Sequence, residues 1–310
     1  MVQTDLKKIV ILCGPTASGK SGLALDLARG FGMEIVNADS QQVWRGLDIG
    51  TAKPLPADRA LVPHHLIDVA SPGESFNVSQ FVARADAAIE AIVARGKKVL
   101  VVGGTGMYLR ILLQGLCEAP PQDPTLRHAL MAKVQDGELP LLFEELKKAD
   151  PELAAKLHPQ DTTRIVRGLE VYRLTGMPLT RFHRQHKKAT LRYEALQIVL
   201  HEEKDVLGKR IEERVEAMMS QGWLEEVRCL LKEYSPKCQA LQAIGYKQLA
   251  MHLQGGLTLD EAVAEIKKVT KAFAKRQLTW FRKNPELLWV ASSDKDGVAK
   301  AIEKFYGGDL

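Results

Sequence analysis

The sequence predicts an α/β fold: a parallel, doubly wound sheet with a helical insertion. Three observations predict it. Short apolar runs alternate with amphipathic stretches from Lys8 to Gly106, a phosphate-loop motif joins the first run to the first helix, and strand-like runs then vanish between Thr125 and about Gln185.

The elements follow in order. Lys8–Cys13 is an apolar run that reads as a buried strand rather than a signal peptide, because it leads directly into the phosphate loop. Gly22–Phe31 carries helical spacing through Leu23, Leu25 and Leu27, and Glu34–Ala38 is a second strand ending at Asp39. His65–Val69 suits a shorter third strand. Asn77–Arg95 suits a helix with Phe81, Ala85, Ala88 and Ile92 on one face. Lys97–Val102 is another strand, closed by Gly103-Gly-Thr-Gly106. Prolines at 120, 121 and 124 break the pattern, and Leu196–Leu200 returns to the sheet. The expected organisation is a core over 1–119, a helical insertion over 120–194 and the rest of the core over 195–310, all helical after Leu200. Thr258-Leu-Asp-Glu261 resembles a capping box that opens a helix running to about Lys283. Val263, Ile266, Val269, Phe273 and Trp280 gather on one side of it. Trp280 is expected in the core, with base stacking by Trp280 and Phe281 as the other reading.

Composition sets bounds. Of the 310 residues 45% are hydrophobic and 26% charged, ordinary for a globular protein, and no apolar run is long enough for a membrane helix. A cytoplasmic protein without a membrane partner is expected. The four cysteines (Cys13, Cys117, Cys229, Cys238) form no C-x-x-C pair, which argues against zinc or a disulfide framework. The net charge of +5 is mild, but two zones are strongly basic. Between Thr162 and Arg192 stand Arg164, Arg167, Arg173, Arg181, Arg184, Lys187, Lys188 and Arg192 against Glu170. From Glu265 to Lys283 stand Lys267, Lys268, Lys271, Lys275, Arg276, Arg282 and Lys283. They suit either solvated helix faces or a grip on a polyanion.

Gly14, Pro15, Thr16, Ala17, Ser18, Gly19, Lys20 and Ser21 fit G-x-x-x-x-G-K-[ST] between a strand and a helix, the context that identifies a phosphate loop. Its N–H groups and the helix N-terminus form an anion nest. Lys20 reaches a terminal phosphate and Ser21 ligates Mg²⁺. The motif specifies a polyphosphate, ATP in the default case, without saying which. Two other strand ends should meet this loop, since ligands of such sheets bind beyond the C-terminal strand ends. One brings Asp39, Ser40, Gln41 and Gln42, the other Thr105. Asp39 suits two roles equally, a ligand of Mg²⁺-bound water or a general base for an attacking nucleophile. Ser40, Gln41 and Gln42 can read a base edge or cap the turn, and Thr105 can be catalytic or structural.

These residues resemble the tRNA dimethylallyltransferase family, also called tRNA isopentenylpyrophosphate transferases. The resemblance runs through the phosphate loop and Asp39-Ser-Gln-Gln-Val-Trp-Arg-Gly-Leu-Asp-Ile-Gly-Thr-Ala-Lys-Pro54. It continues in His64-His-Leu-Ile-Asp68, Val102-Gly-Gly-Thr-Gly-Met-Tyr108, His158–Arg167, Ala243–Gln248 and Arg276–Arg282. It implies a P-loop nucleotide-kinase-like core, a helical insertion that grips a tRNA anticodon stem-loop, and a channel joining dimethylallyl diphosphate to an adenine. By resemblance the loop holds that diphosphate rather than ATP, Asp39 acts on adenine N6, and Thr105 lines the reacting end. Thr163, Arg164, Ile165, Val166, Arg167 and Arg127 fall where the family contacts tRNA. Lys275, Arg276 and Arg282 extend that basic surface. A Mg²⁺-dependent monomer of bacterial type is expected, without the zinc finger of eukaryotic relatives. Trp44 departs from the family's usual Tyr, and Thr163 from a frequent Gln. The rival readings are a transferase acting on free adenine nucleotides, a nucleotide kinase, and a non-enzymatic RNA-binding protein.

Overall fold

The computed structural model describes residues 6–186 and 191–307, so Lys187 and Lys188 of the first basic zone lie outside the described residues. Two compact units divide the chain, Met1–Leu113 with Arg192–Leu310, and Gln114–Leu191.

The first unit is built on six parallel strands: β1 (Lys8–Cys13), β2 (Met33–Asn37), β3 (His64–His65), β4 (Lys98–Gly103), β5 (Glu194–His201) and β6 (Leu288–Ala291). Their order is β3-β2-β4-β1-β5-β6. β1 is central because both of its faces are apolar, and the strand period of two sends alternate residues to opposite layers. Ile9, Ile11 and Cys13 enter one core, Val10 and Leu12 the other, each at most 1% exposed. Helices cover both faces. In chain order they are α1 (Lys20–Phe31), α2 (Pro56–Leu61), α3 (Val78–Ala94) and α4 (Gly106–Gln114). After the second unit's helices come α10 (Lys204–Ser220), α11 (Trp223–Glu233), α12 (Tyr246–Leu253), α13 (Leu259–Phe281) and α14 (Lys295–Phe305). α1 and α14 pack Leu23, Leu27, Val298 and Ile302 against the Val10–Leu12 face. α3, α4, α11 and α12 pack Phe81, Leu112, Val227 and Leu249 against the other.

The strand that sequence reasoning missed is β6. It is four residues long and lies at the sheet edge on β5. A short edge strand after Pro285 has too few residues for a period-two pattern to stand out.

Two sequence motifs meet at one buried ammonium. Lys53, 2% exposed at its side chain, donates to Asp48 at 2.6 Å, to Asp68 at 2.5 Å and to the Trp44 carbonyl at 2.6 Å. Arg59 adds 2.8 Å to Asp68. Burial works to raise the Asp68 pKa, but the Lys53 and Arg59 hydrogen bonds outweigh it and hold the carboxyl low. Lys53→Ala should destabilise the fold by roughly 3 kcal/mol in urea titration, the low end for a broken buried pair because Asp48 and Asp68 keep part of their hydration. Asp68 adds a pH dependence of known sign. Its contribution is present above the ordinary Asp pKa and is lost as pH falls through the depressed folded value.

The second unit consists of α5 (Pro124–Gln135), α6 (Leu139–Ala149), α7 (Pro151–Ala154), α8 (Thr162–Thr175) and α9 (Leu179–His186), with no strand among its described residues. Leu130, Leu146, Ile165, Val166 and Leu169 form its core. Gly168 is required where α8 crosses: a Cβ there would lie 2.7 Å from Leu153 and 2.8 Å from Leu146. Buried Asp150 accepts from the N–H groups of Leu153 (3.1 Å) and Thr180 (2.9 Å), which joins α7 to α9.

Candidate active site

Beyond the C-terminal ends of the neighbouring strands β1, β4 and β2 lies a cavity of about 320 Å³. Thr16, Lys20, Ser21, Asp39, Ser40, Gln41, Gln42 and Thr105, distant in sequence, all line it. The strand order explains the convergence, since these strand ends are side by side.

The phosphate loop turns sharply at Gly14. A Cβ there would lie 2.5 Å from the Leu200 carbonyl, so no side chain fits. Ala17 (φ 63°) and Gly19 (φ 83°) are left-handed. Gly19 precedes α1 without a side-chain cap, leaving the first N–H groups of the helix open to an anion. Buried Ser18 sits under the loop. The Lys20 ammonium donates to the Pro15 carbonyl at 2.6 Å and to Ser18 Oγ at 3.4 Å. Burial pushes its pKa down to about 8. The Asp39 carboxylate works against that shift, and the Arg214 charge adds to it.

Asp39 is oriented from both sides. Its N–H donates to Asn37 Oδ1 at 3.2 Å, and its Oδ1 accepts the Gln41 N–H at 2.8 Å. Thr105 Oγ1 accepts the Ser40 N–H at 3.1 Å, which ties the β2 loop to the β4 loop. Gln42 is turned inward: its amide donates to the carbonyls of Thr51 (3.0 Å) and Ala52 (3.1 Å), and the residue is only 9% exposed. Its amide group braces the Asp48–Lys53 loop.

Several lining residues had no sequence signal of their own. Arg214, half-buried on α10, reaches Thr16 Oγ1 at 3.4 Å. Burial lowers its pKa and the Asp39 charge opposes that. Gln277 on α13 accepts from the Thr16 N–H and donates to the Gly104 carbonyl, both at 2.9 Å, so it clamps two loops of the cavity wall together. It lies inside the Arg276–Arg282 motif, which was the available clue. Gln277→Leu should cost about 2 kcal/mol in urea titration, because it strands the Thr16 N–H and the Gly104 carbonyl. Glu226 accepts the N–H groups of Asp48 (3.0 Å), Ile49 (2.7 Å) and Gly50 (3.4 Å) and the Tyr246 hydroxyl (2.5 Å), shaping the wall that carries Trp223.

The α13 face differs from the expected one. Thr258 caps the helix through a capping box as expected, but the buried residues are Ala262, Ile266, Ala274, Gln277 and Phe281. Trp280 is 37% exposed, not core, and lies under the Arg110 guanidinium at 5.1 Å. Gly106 makes this fit, since a Cβ there would lie 2.2 Å from the indole. Lys275, Arg276 and Arg282 are exposed, whereas Lys271 pairs with Glu212 at 2.5 Å and Lys267 pairs with Glu216.

In the second unit the candidate contacts split. Thr163 and Arg164 are exposed at the start of α8. Ile165 and Val166 are 0% exposed, so a side-chain contact of theirs with a partner is corrected: their side chains are core. Arg167 donates to buried Glu170 at 2.7 Å and to the Pro120 carbonyl at 2.5 Å, and Arg127 lies 3.6 Å from the same carboxylate. Both arginines neutralise Glu170.

Among the described residues no group of three or more His, Cys, Asp or Glu is placed to hold a metal. Ser21, in the first turn of α1, is an oxygen donor in the cavity wall. That single hydroxyl suits Mg²⁺, which commonly takes most of its ligands from substrate phosphates and water. No helix among the described residues is long and apolar enough to cross a membrane.

Residues 42–284 match the family model described as IPP transferase. The chain is 48% identical over 295 residues to a tRNA dimethylallyltransferase of Syntrophobacter fumaroxidans, covering 95% of this chain and 86% of the relative. It is 46% identical over 308 residues to a tRNA dimethylallyltransferase of Geobacter metallireducens, covering 99% and 100%. The full-length tRNA isopentenylpyrophosphate transferase of Bacillus halodurans superposes with a TM-score of 0.71 at 38% identity, covering 97% of this chain and 96% of that one. A eukaryotic dimethylallyltransferase acting on tRNA superposes with a TM-score of 0.83 at 28% identity, covering 96% and 77%. With most of its length matched by the family model and by close relatives, this chain belongs to the IPP transferase family.

Proposed function

We propose that this protein transfers a dimethylallyl group from dimethylallyl diphosphate to N6 of the adenosine 3′-adjacent to the anticodon of tRNA, position 37, and releases diphosphate. The observation that carries the reading is a phosphate loop with Lys20 and Arg214 facing the same cavity as an oriented carboxylate, Asp39. The cations suit the diphosphate and the carboxylate suits a nucleophile that must lose a proton.

Adenine N6 is a poor nucleophile because its lone pair is delocalised. The cavity holds it in line with C1 of the allylic group, an orientation worth roughly 7–11 kcal/mol in the best cases. The N6 lone pair forms the new bond to C1, and the C1–O bond breaks with its electrons leaving on the diphosphate. Lys20, Arg214 and the loop N–H groups stabilise that charge. Ser21 would hold Mg²⁺, which would supply further charge neutralisation. Asp39 accepts a hydrogen bond from N6 and then its proton. Ser40 and Thr105 fix the Asp39 loop. The substrate adenine is flipped out of the anticodon loop to enter the cavity.

The RNA-facing basic residues, on this reading, are Arg164 with Thr163 in the second unit and Lys275, Arg276 and Arg282 in the first, since these are exposed. Arg164→Glu and Arg276→Glu should each weaken stem-loop binding several-fold at low salt. Each should also flatten the dependence of log Kd on log salt by about one charge's worth. Filter binding across a salt series measures both, and an unchanged slope removes that residue from the RNA surface. Monomeric action in the cytoplasm accords with this reading.

The experiment is direct. Protein, Mg²⁺, dimethylallyl diphosphate and an unmodified anticodon stem-loop are incubated, and the RNA is digested to nucleosides for mass spectrometry. The expected product is N6-dimethylallyladenosine from the position next to the anticodon. Digests containing only unmodified adenosine would contradict the proposal.

A further inference from the structure

The cavity has walls of two kinds. The strand-end loops that bring Thr16, Lys20, Asp39 and Thr105 are polar. The wall supplied by α10 is apolar: Ile211, Val215 and Met218 line the cavity and are 2%, 3% and 7% exposed. Turning about 100° per residue, an α-helix places positions 211, 214, 215 and 218 on one face. That face therefore carries the Arg214 cation and an apolar strip. The strip offers no strong hydrogen-bond donor or acceptor to a ribose or a base, so it suits hydrocarbon.

The strip has a direction. At its start Ile211 packs in a small core with Ala17 of the phosphate loop, and Arg214 reaches Thr16 Oγ1 of the same loop at 3.4 Å. Met218, near the end of α10, belongs instead to the core that contains Trp223 and Tyr246. The strip thus leaves the phosphate loop and runs toward the start of α11. The helix also sets its length. Arg214 to Met218 is one turn, about 6 Å along the axis. From C1 to a terminal methyl a dimethylallyl group spans three bonds of about 1.5 Å, roughly 4 Å when extended. A second isoprene unit more than doubles that length and carries the chain past Met218. The wall beyond has no room to give. Trp223 is 2% exposed, and a Cβ at Gly50 or at Gly245 would lie 2.0 Å from its indole, so the ring is packed against both backbones.

We propose that Met218 limits the allylic donor to one isoprene unit. The diphosphate lies between the phosphate loop and Arg214, the hydrocarbon follows Val215, and its end abuts Met218. This rests on the functional reading above and adds to it the residue that selects donor length. The transfer step is unchanged, because the reacting bonds are at C1. Discrimination grows by about 10-fold or more for each methylene group that a pocket cannot hold.

The test supplies wild type and Met218→Ala with dimethylallyl diphosphate, a donor one carbon longer, and geranyl diphosphate. Mg²⁺ and the unmodified stem-loop are present, and transfer is read by mass spectrometry of the digested RNA. Wild type should use geranyl diphosphate at least about 100-fold less well than dimethylallyl diphosphate in kcat/KM. Met218→Ala should narrow that ratio by about tenfold or more and should also gain on the donor one carbon longer. The KM for the stem-loop should not move. Met218→Phe, which fills the end of the strip, should raise the KM for dimethylallyl diphosphate. A ratio unchanged in Met218→Ala overturns the inference, as does a change confined to the KM of the stem-loop. Should Met218→Ala not fold, Met218→Val shortens the same side chain while keeping it apolar, and the donor one carbon longer carries the comparison. Wild type that transfers nothing from dimethylallyl diphosphate would overturn the functional reading and this inference together. Wild type that uses both donors equally, or an active Met218→Ala as selective as wild type, overturns this inference alone.

Discussion

Asp39→Ala is expected to lower kcat/KM for adenosine alkylation by about 10²–10⁴-fold while leaving diphosphate binding intact, the range for loss of a positioned general base. The carboxylate is held by the Gln41 N–H at 2.8 Å, and its backbone is braced by Asn37 and, through Ser40, by Thr105. Asp39→Asn keeps the shape and the Gln41 contact but cannot take a proton, so it should be nearly as slow as the alanine variant. If Asp39 served mainly as a ligand of metal-bound water, the asparagine variant would keep more activity and respond to added Mg²⁺. Single-turnover rates of both variants across a Mg²⁺ series separate the two roles. Near-normal turnover of Asp39→Ala would remove the base assignment.

Lys20→Met is expected to cost about 10³-fold in rate and to abolish most diphosphate affinity, because it removes the phosphate-loop ammonium, which lines the cavity beside the N–H groups that would receive the anion. The same residue sets a pH dependence. Burial holds its pKa at about 8 without ligand. A bound diphosphate favours the charged form and raises it. Below about 8 the lysine is charged in both states and affinity is flat. Above that value, binding must take up a proton, so affinity for diphosphate falls by up to about tenfold per pH unit. Isothermal titration in buffers of different ionisation enthalpy measures the proton uptake near pH 8.5, and Lys20→Met should show none. Equal proton uptake in wild type and variant would place the titrating group elsewhere.

The parts of this molecule legible in the sequence are those with strict local chemistry. The apolar run Lys8–Cys13 marked the central strand because a strand buried on both faces needs no alternation. The phosphate loop was legible because its glycines answer to backbone geometry, as Gly14 against the Leu200 carbonyl shows. The Thr258 capping box was likewise local, and it formed. What escaped depends on long-range contacts. Gln277 looked like one more polar residue in a basic helix, yet it bridges Thr16 and Gly104 from far along the chain. Its place in the core also explains the error over Trp280. Phe281 and Gln277 take the inward face, which rotates Trp280 out beneath Arg110. Arg167 looked free in a basic zone because its neutralising partner, Glu170, was counted as one acid among many bases. Burial of that acid makes it hold Arg127 and Arg167 together. Arg214 and Trp223 carried no motif. Only the fold brings α10 and the start of α11 against the phosphate loop and Gly50.

On the proposed function, one cavity joins an allylic diphosphate to an adenosine of RNA. The most direct test of that function is a competition assay with labelled dimethylallyl diphosphate and Mg²⁺, an unmodified anticodon stem-loop, AMP and ATP. Label is expected on the adenosine next to the anticodon, with one diphosphate released per group transferred and ATP left intact. Label on AMP alone would move the protein to the free-nucleotide transferases. ATP turnover without any prenyl transfer would contradict that function and return the cavity to phosphoryl chemistry.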